Sequence, residues 1–327
     1  MVSNRKQILQ WAKQGHLNEA ALPEALRLAE AEPSPADWRH FIDRLLLWFG
    51  AIFVAVGVVF FFAYNWQELG RYAKFGLVEC CIVVAVAICW KLGLERLSGK
   101  AALFAATILI GALLALVGQT YQTGADPWQL FATWAALIVP WVVIGRFGAL
   151  LLFWVGLINL SMFLYFQTFP RFFGVFGVVF GTETMLWTFF IFNTLILCLW
   201  ELAGQRQIDW LSERWPQRVL AVASGSLVTV LAVWAILAFR EFGSAGPICY
   251  LAWLIVAYLV YRRRIRDLFV LAGGVLSVII VVTAGLGKWI LFDSGHEGSF
   301  LLIGLVVIGL SAAGGMWLKT IALEEKS

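Results

Sequence analysis

Long apolar runs, separated by short polar segments, fill the chain from about residue 45 onwards. A transmembrane helix needs roughly 20 mainly apolar residues to cross a hydrocarbon core of about 30 Å. The runs are continuous and lack the alternation of apolar and polar positions that marks a membrane β-strand. The pattern therefore predicts an all-α polytopic membrane protein of about ten transmembrane helices. The predicted spans lie near residues 45–64, 75–92, 101–118, 127–145, 148–166, 185–203, 218–238, 247–261, 267–286 and 298–318.

The composition supports a membrane protein and excludes several other classes. Hydrophobic residues make up 61% of the 327 residues and charged residues only 13%, whereas soluble domains contain about 25% charged residues. The net charge of +4 is mild and gives no indication of a nucleic-acid partner. The five cysteines form no CxxC pair and the three histidines are far apart, so we expect no metal centre and no cofactor. No phosphate-binding Walker loop is present, which argues against an ATP-driven pump.

The distribution of basic residues orients the predicted spans. Cytoplasmic loops of membrane proteins carry an excess of Lys and Arg. With the N-terminus in the cytoplasm, nineteen of the 24 Lys and Arg residues fall on the cytoplasmic side and five fall outside. The five outer residues are Arg71, Lys74, Arg171, Arg240 and Lys288. We therefore expect both termini to be cytoplasmic.

Residues 1–42 are the only sizeable polar part of the chain. Apolar positions around Trp11 predict a first helix that stops at Gly15. Asn18 is a suitable N-cap for a second helix running to about Ala31. The predicted domains are thus a cytosolic helical hairpin over residues 1–42 and a transmembrane helical domain over residues 43–327. The hairpin is too small to bury a core alone, so we expect it to pack on the membrane domain or on a partner.

The densest polar cluster joins the third and fourth spans. It contains Gln119, Tyr121, Gln122, Asp126 and Trp128. Asp126 followed by a proline predicts a helix start, with Asp as the N-cap. If the third span continues through Gln122, then Gln119 and Gln122 share one helix face. Uncharged amides beside aromatic rings suit a neutral polar or sugar-like ligand, and a capped turn with interfacial aromatic residues explains the same pattern.

A second cluster, Tyr64, Asn65 and Trp66, closes the first span, and Arg71 follows it on the same outer side. Glu79 lies within the second span, about 7.5 Å deeper along the helix than Lys74. We expect its carboxylate either to pair with a basic group such as Arg71 or to be kept protonated by desolvation. A structurally paired carboxylate and a proton-binding or catalytic one both fit the sequence. In the second case Glu79→Gln abolishes function and leaves folding intact.

Residues 170–181 are rich in Phe and Gly and are too short to cross the membrane. They fit an interfacial segment on the outer leaflet or a re-entrant loop that lines a cavity.

The run GQTYQTGADPWQLFATWAALIVPW, from Gly118 to Trp141, resembles a bacterial family of predicted inner-membrane proteins, the domain-of-unknown-function family 2157. The segment Phe62-Ala63-Tyr64-Asn65-Trp66 and the head from Leu9 to Leu17 are also similar to it. The resemblance covers residues 1 to about 145. It implies a multi-pass protein of the bacterial inner membrane and supplies no reaction.

Three functions remain open at this level. The first is a transporter, flippase-like or ligand-binding protein whose polar site opens to the periplasm, built from the two outer clusters, Arg71 and Glu79. The second is an envelope assembly or scaffold protein that binds a membrane or periplasmic protein. The third is an enzyme acting on a lipid-linked substrate, with Glu79 or Asp126 as acid or base; it is the least favoured, because no converging pair of reactive groups is evident. The expected partners are membrane lipids and a lipid-linked or small polar ligand.

Overall fold

The computed structural model describes residues 8, 11–12, 14, 16–18, 21–28, 35–64, 70–169, 182–205, 209–211, 213–237, 245–290 and 299–324. Every regular element in these ranges is a helix, and none is a strand. The α-helices are α1 (Leu22–Leu28), α2 (Pro35–Tyr64), α3 (Arg71–Leu92), α4 (Leu97–Tyr121), α5 (Pro127–Gly145), α6 (Gly148–Thr168), α7 (Thr182–Gln205), α8 (Arg214–Leu237), α9 (Ala245–Leu259), α10 (Leu268–Lys288) and α11 (Ser299–Glu324). Parts of the predicted head, namely residues 1–7, 9–10, 13, 15, 19–20 and 29–34, lie outside the described residues.

Ten of the described helices, α2 to α11, are long and apolar enough to cross a membrane. The prediction of about ten transmembrane helices in an all-α fold is therefore confirmed. The first of them starts about ten residues earlier than expected, at Pro35. Proline is favoured at the first helical position, where its missing N–H costs no intrahelical bond. The 30 residues of α2 rise about 45 Å, so the helix is longer than the hydrocarbon core is thick.

The eighth span has two parts. Its α-helical part, Ala245–Leu259, has 15 residues and rises only about 22 Å, which is short for a crossing. A π-helix, Val260–Arg264, continues it and brings the whole span to 20 residues. Three consecutive arginines lie in this π-helix. Because a π-helix has hydrogen bonds from i to i+5, the backbone turn is wider at this charged end of the span than in its α-helical part.

The contacts divide the chain into two units, Met1–Met162 and Phe163–Glu325, which are described separately. In the first unit α4 is the central helix: it packs against α2, α3 and α5. The core of this unit contains Leu103, Ile138 and Leu150, all buried. The predicted division at residue 42 is untested and stays a prediction.

Indole hydrogen bonds hold α4, α5 and α6 of the first unit together. The Nε1 of Trp134 on α5 donates to the backbone carbonyl of Thr107 on α4 at 2.7 Å. The Nε1 of Trp154 on α6 donates to the carbonyl of Ala135 on α5 at 3.0 Å. Since both carbonyls belong to residues within apolar helices, each indole satisfies its only donor inside the protein instead of exposing it to lipid.

The second unit is built around α8, which packs against α7, α9 and α10, while α10 also packs against α11. Hydroxyl pairs link these helices. Thr194 and Ser224 lie 2.6 Å apart between their oxygens, and so do Thr229 and Ser277. Interhelical hydrogen bonds of this kind contribute about 0.6 kcal/mol each in a membrane, so they fix the register of the helices more than they set total stability.

Candidate functional site

The beginning of α3 meets the end of α4, and this contact brings two of the predicted site residues together. The guanidinium carbon of Arg71 lies 5.9 Å from the centre of the Tyr121 ring and also 5.9 Å from that of Tyr72. Phe75 supports the same site, with its ring centre 6.0 Å from that of Tyr121. A cation within about 6 Å of an aromatic face is attracted to it, so the two helix ends are joined by Arg71.

The turn after α4 departs from one expectation. The helix ends at Tyr121, because Gln122 adopts a left-handed conformation with φ of 45°. Gln119 and Gln122 therefore do not share a helix face at a spacing of three residues, as they would had the helix continued. Both amide side chains are exposed. Gly124 completes the turn with φ of 64°, a conformation that glycine adopts without steric cost.

The predicted start of the fourth span is confirmed. Pro127 is the first residue of α5, and Asp126 is its N-cap with extended backbone angles. The Asp126 carboxylate makes no capping hydrogen bond, and the turn is closed instead by the backbone N–H of Gln129, which donates to the Asp126 carbonyl at 3.0 Å. Trp128 is half-buried, and its carbonyl accepts a hydrogen bond from the Ser161 hydroxyl at 2.9 Å. This bond ties the first turn of α5 to α6.

Glu79 is exposed on α3 and forms no ion pair with Arg71 in the part of the chain that the structure describes. Eight residues separate the two positions along the same helix, a rise of about 12 Å. This distance is too great for a direct pair. Pairing with Arg71, one of the two alternatives for Glu79, is thus absent among the described residues, and the role of Glu79 stays a prediction from the sequence.

The second predicted cluster cannot be placed in full. The backbone of Tyr64 ends α2, while its side chain, Asn65 and Trp66 lie outside the described residues. The segment 170–181, expected to be interfacial or re-entrant, lies outside them as well.

We use the name outer patch for the residues of this contact and of the turn that follows Tyr121: Arg71, Tyr72, Tyr121, Gln122 and Asp126. Tyr72 is 87% exposed and Tyr121 is 58% exposed. The two rings, a guanidinium, an amide and a carboxylate can stack on, hydrogen-bond and neutralise a polar group that approaches from outside the helices.

Residues 9–151 match the family described as "Predicted membrane protein (DUF2157)". The resemblance drawn from the sequence is confirmed over this range. The DUF2157 region covers less than half of the 327 residues and contains every predicted site residue, from Tyr64 to Trp128. No curated protein and no solved structure matches the chain significantly. The match supports a multi-spanning membrane protein and assigns no reaction.

A second polar cluster, which the sequence analysis did not identify, lies at one end of α8. We call it the ionic cluster: Glu201, Arg214, Arg218, Tyr261 and Asp267. Arg214 donates to Glu201 at 2.9 Å and to Asp267 at 3.1 Å. Arg218 donates from Nε to both carboxylate oxygens of Asp267, at 3.2 and 3.0 Å. The Tyr261 hydroxyl donates to Glu201 at 2.9 Å.

Asp267 is the most enclosed member of the ionic cluster, with a side chain only 2% exposed. Burial by itself raises the pKa of its carboxyl. The hydrogen bonds from Arg218 and Arg214 outweigh burial and hold the pKa below its ordinary value. One carboxylate oxygen also accepts the backbone N–H of Phe269 at 3.1 Å, so Asp267 caps α10. The carboxylate is therefore charged at neutral pH and fixes the positions of α8 and α10.

In the sequence, the members of the ionic cluster appear only as separate polar residues near the ends of spans. Glu201 stands near the end of an apolar span, and Asp267 directly precedes another one. An intramembrane or span-terminal carboxylate is a signal for a paired charge, but its partner cannot be read from the sequence. Among the described residues, no group of three or more His, Cys, Asp or Glu side chains could hold a metal ion.

Proposed function

We propose that this protein is a ligand-binding protein of the bacterial inner membrane whose outer patch binds a sugar-bearing polar headgroup at the periplasmic surface. The observation that carries the proposal is the contact between Arg71 and Tyr121. It brings the start of the second span and the end of the third, two regions predicted to lie on the outer side, into one site.

The chemistry of the outer patch supports this ligand class. Aromatic rings offer an apolar face to the C–H face of a sugar, and amide and carboxylate groups bind its hydroxyls. A guanidinium binds phosphate with paired N–H donors. A lipid-linked sugar combines these groups and is held at the height of the membrane surface, where a patch at the ends of α3 and α4 would meet it.

The two apolar grooves of the second unit do not favour a polar solute path. Two grooves in the second unit, of about 350 and 570 Å³, are lined mainly by apolar side chains. A transporter needs polar groups along the route of its substrate, near the bilayer midplane. Binding at the outer surface therefore explains the described features with fewer assumptions than transport does.

A binding experiment tests the proposal. The purified protein, reconstituted in lipid nanodiscs, is titrated with a synthetic polyprenyl-phosphate-linked N-acetylhexosamine. We expect saturable binding that Tyr121→Leu weakens at least about fivefold, since it removes the stacking surface and the cation–π contact together. Tyr258→Leu is the matched control, because Tyr258 is also exposed but lies in the second unit.

A scaffold function is the second candidate, and the high exposure of Tyr72 and Tyr121 favours it. Aromatic residues and arginine are enriched in protein interfaces, and an open surface suits a protein partner as well as a small ligand. The same variant distinguishes the two. If Tyr121→Leu releases a protein that co-purifies with the wild type, and the wild type binds no glycolipid, the scaffold function replaces the one proposed.

A further inference from the structure

An apolar groove of about 570 Å³ lies between α8 and α10 in the second unit, with Trp253 of α9 also in its lining. We call it the α8–α10 groove. Its volume falls within the range of small-molecule sites, about 300–1,000 Å³. Several of its side chains are exposed, including Val222, Trp234 and Leu276. The groove is therefore open on at least one side.

The polar groups in the lining of the groove are already bonded within the protein. Thr229 and Ser277 share a hydrogen bond of 2.6 Å, and Thr229 also bonds the carbonyl of Gly225 at 2.6 Å. The Ser226 hydroxyl donates to the carbonyl of Ala223 at 3.0 Å. Since these hydroxyls are satisfied, the lining is in effect a hydrocarbon surface, and the part of an occupant that fills it must be hydrocarbon too.

The length of the groove indicates which hydrocarbon fits. From Val222 to Trp234 its lining follows α8 for twelve residues, a rise of about 18 Å. One leaflet contributes about half of a hydrocarbon core of about 30 Å. The groove is thus as long as the acyl region of one leaflet. It is shorter than the crossing that a transmembrane helix of a partner protein requires.

A cationic group stands at one end of the groove. Arg218 lies one helical turn before Ala221 and Val222, on the same face of α8. Its guanidinium carbon is 5.7 Å from the ring centre of Phe269, which also lines the groove. Arg218 therefore marks the end of the groove at which a lipid headgroup would lie.

The guanidinium of Arg218 has unused donors. Its Nε bonds Asp267, which Arg214 also bonds, so a single carboxylate is shared by two cations. Within the described ranges the Nη groups of Arg218 donate to no residue, and its side chain is 43% exposed. These donors can bind a phosphate oxygen, as guanidinium groups commonly do.

We infer that the α8–α10 groove binds one acyl chain of an anionic phospholipid, with the lipid phosphate on the Nη donors of Arg218. This site lies in the second unit and outside the DUF2157 region, and it does not depend on the function proposed for the outer patch.

Glycine at position 273 gives a direct way to block the groove. Gly273 lines it, and a Cβ at this position would meet no atom within 4 Å. We therefore expect the side chain of Gly273→Leu to occupy the groove and to leave the ionic cluster intact. Gly309→Leu is the matched control: Gly309 lies on α11, has the same open surroundings and is absent from the groove lining.

The test uses native mass spectrometry of the full-length protein released from nanodiscs that contain equal amounts of phosphatidylglycerol and phosphatidylcholine. We expect the wild type to retain phosphatidylglycerol about fivefold better, the preference that one cationic residue gives for an anionic lipid. Arg218→Gln should bring the ratio close to one, and Arg218→Lys should keep it above one. Gly273→Leu should lower the retention of both lipids, while Gly309→Leu should behave like the wild type.

Three results would overturn the inference. The first is equal retention of the two lipids by the wild type, and the second is lipid retention by both Arg218→Gln and Gly273→Leu that equals that of the wild type. The third is a co-purified polypeptide that cross-links to Leu276 in place of lipid. An unchanged elution volume and helical circular dichroism identify the variants that are folded. Should Arg218→Gln fail to fold, Gly273→Leu decides the outcome alone, since a Cβ at this position meets no atom within 4 Å.

Discussion

Gly111 on α4 lies directly against the indole ring of Trp134 on α5. A Cβ atom at Gly111 would overlap that ring, and the indole cannot move freely because its Nε1 is bonded to the carbonyl of Thr107. The absence of a side chain at Gly111 thus allows the indole of Trp134 to lie against the backbone of α4.

Gly111→Ala should destabilise the protein by about 1–3 kcal/mol, the usual cost of overpacking a core. The measurement is the free energy of unfolding in mixed micelles. Gly118→Ala in the same helix is the control, because a Cβ at Gly118 meets nothing within 4 Å. The control should be neutral or more stable by up to about 1 kcal/mol, and an equal loss in both variants would contradict this account.

Asp267 should be a major stabilising residue of the second unit. Asp267→Asn removes the charge that two arginines share and weakens the cap of α10, so we expect a loss of about 2–3 kcal/mol in the free energy of unfolding. Glu324→Gln is the control: Glu324 pairs with Arg262, but its side chain is 54% exposed. Exposed pairs contribute about 0–1 kcal/mol, so the control should change stability little.

The lowered pKa of Asp267 gives stability a defined dependence on pH. Folding lowers the pKa of this carboxyl. Such a group stabilises the protein fully above the pKa of an unfolded aspartate, about 3.9. This contribution is lost as the pH falls through the lower folded pKa. The stability difference between the wild type and Asp267→Asn should therefore be constant above about pH 5 and shrink below about pH 4. A difference that grows on acidification would show that the carboxyl is not held in its charged form.

The predicted orientation can be tested by labelling. In a background without the native cysteines, Ala125→Cys should react with a membrane-impermeant maleimide in spheroplasts, and Arg146→Cys should react only after lysis. Both positions are exposed, Ala125 in the turn between α4 and α5 and Arg146 after α5. The reverse pattern would place the outer patch in the cytoplasm.

Much of the fold could be predicted because the bilayer imposes a strong pattern on the sequence. Hydrophobic length located ten spans, and the Asp126-Pro127 pair located the start of α5. The end of α4 was not predictable, because the left-handed backbone of Gln122 leaves no clear trace in its side chain.

Contacts between residues that are far apart in the sequence could not be predicted from the hydrophobic pattern. Arg218 and Asp267 are 49 residues apart, and Tyr261 and Glu201 are 60 apart. Each looked like an isolated polar residue near the end of a span. Only the packing of α7, α8, α10 and the π-helix Val260–Arg264 brings them together, and the groove beside Arg218 depends on the packing of α8 and α10.

The most direct test of the central claim is a double-mutant cycle on Arg71 and Tyr121, measured as binding of the polyprenyl-phosphate-linked N-acetylhexosamine in nanodiscs. The guanidinium carbon of Arg71 lies 5.9 Å from the centre of the Tyr121 ring. We therefore expect Arg71→Gln and Tyr121→Leu each to weaken binding, with a coupling free energy of about 0.5–1 kcal/mol between the two substitutions. Arg146→Gln, at an exposed position outside the patch, should bind like the wild type. Strictly additive losses, or unchanged binding in both single variants, would contradict a shared site in the outer patch.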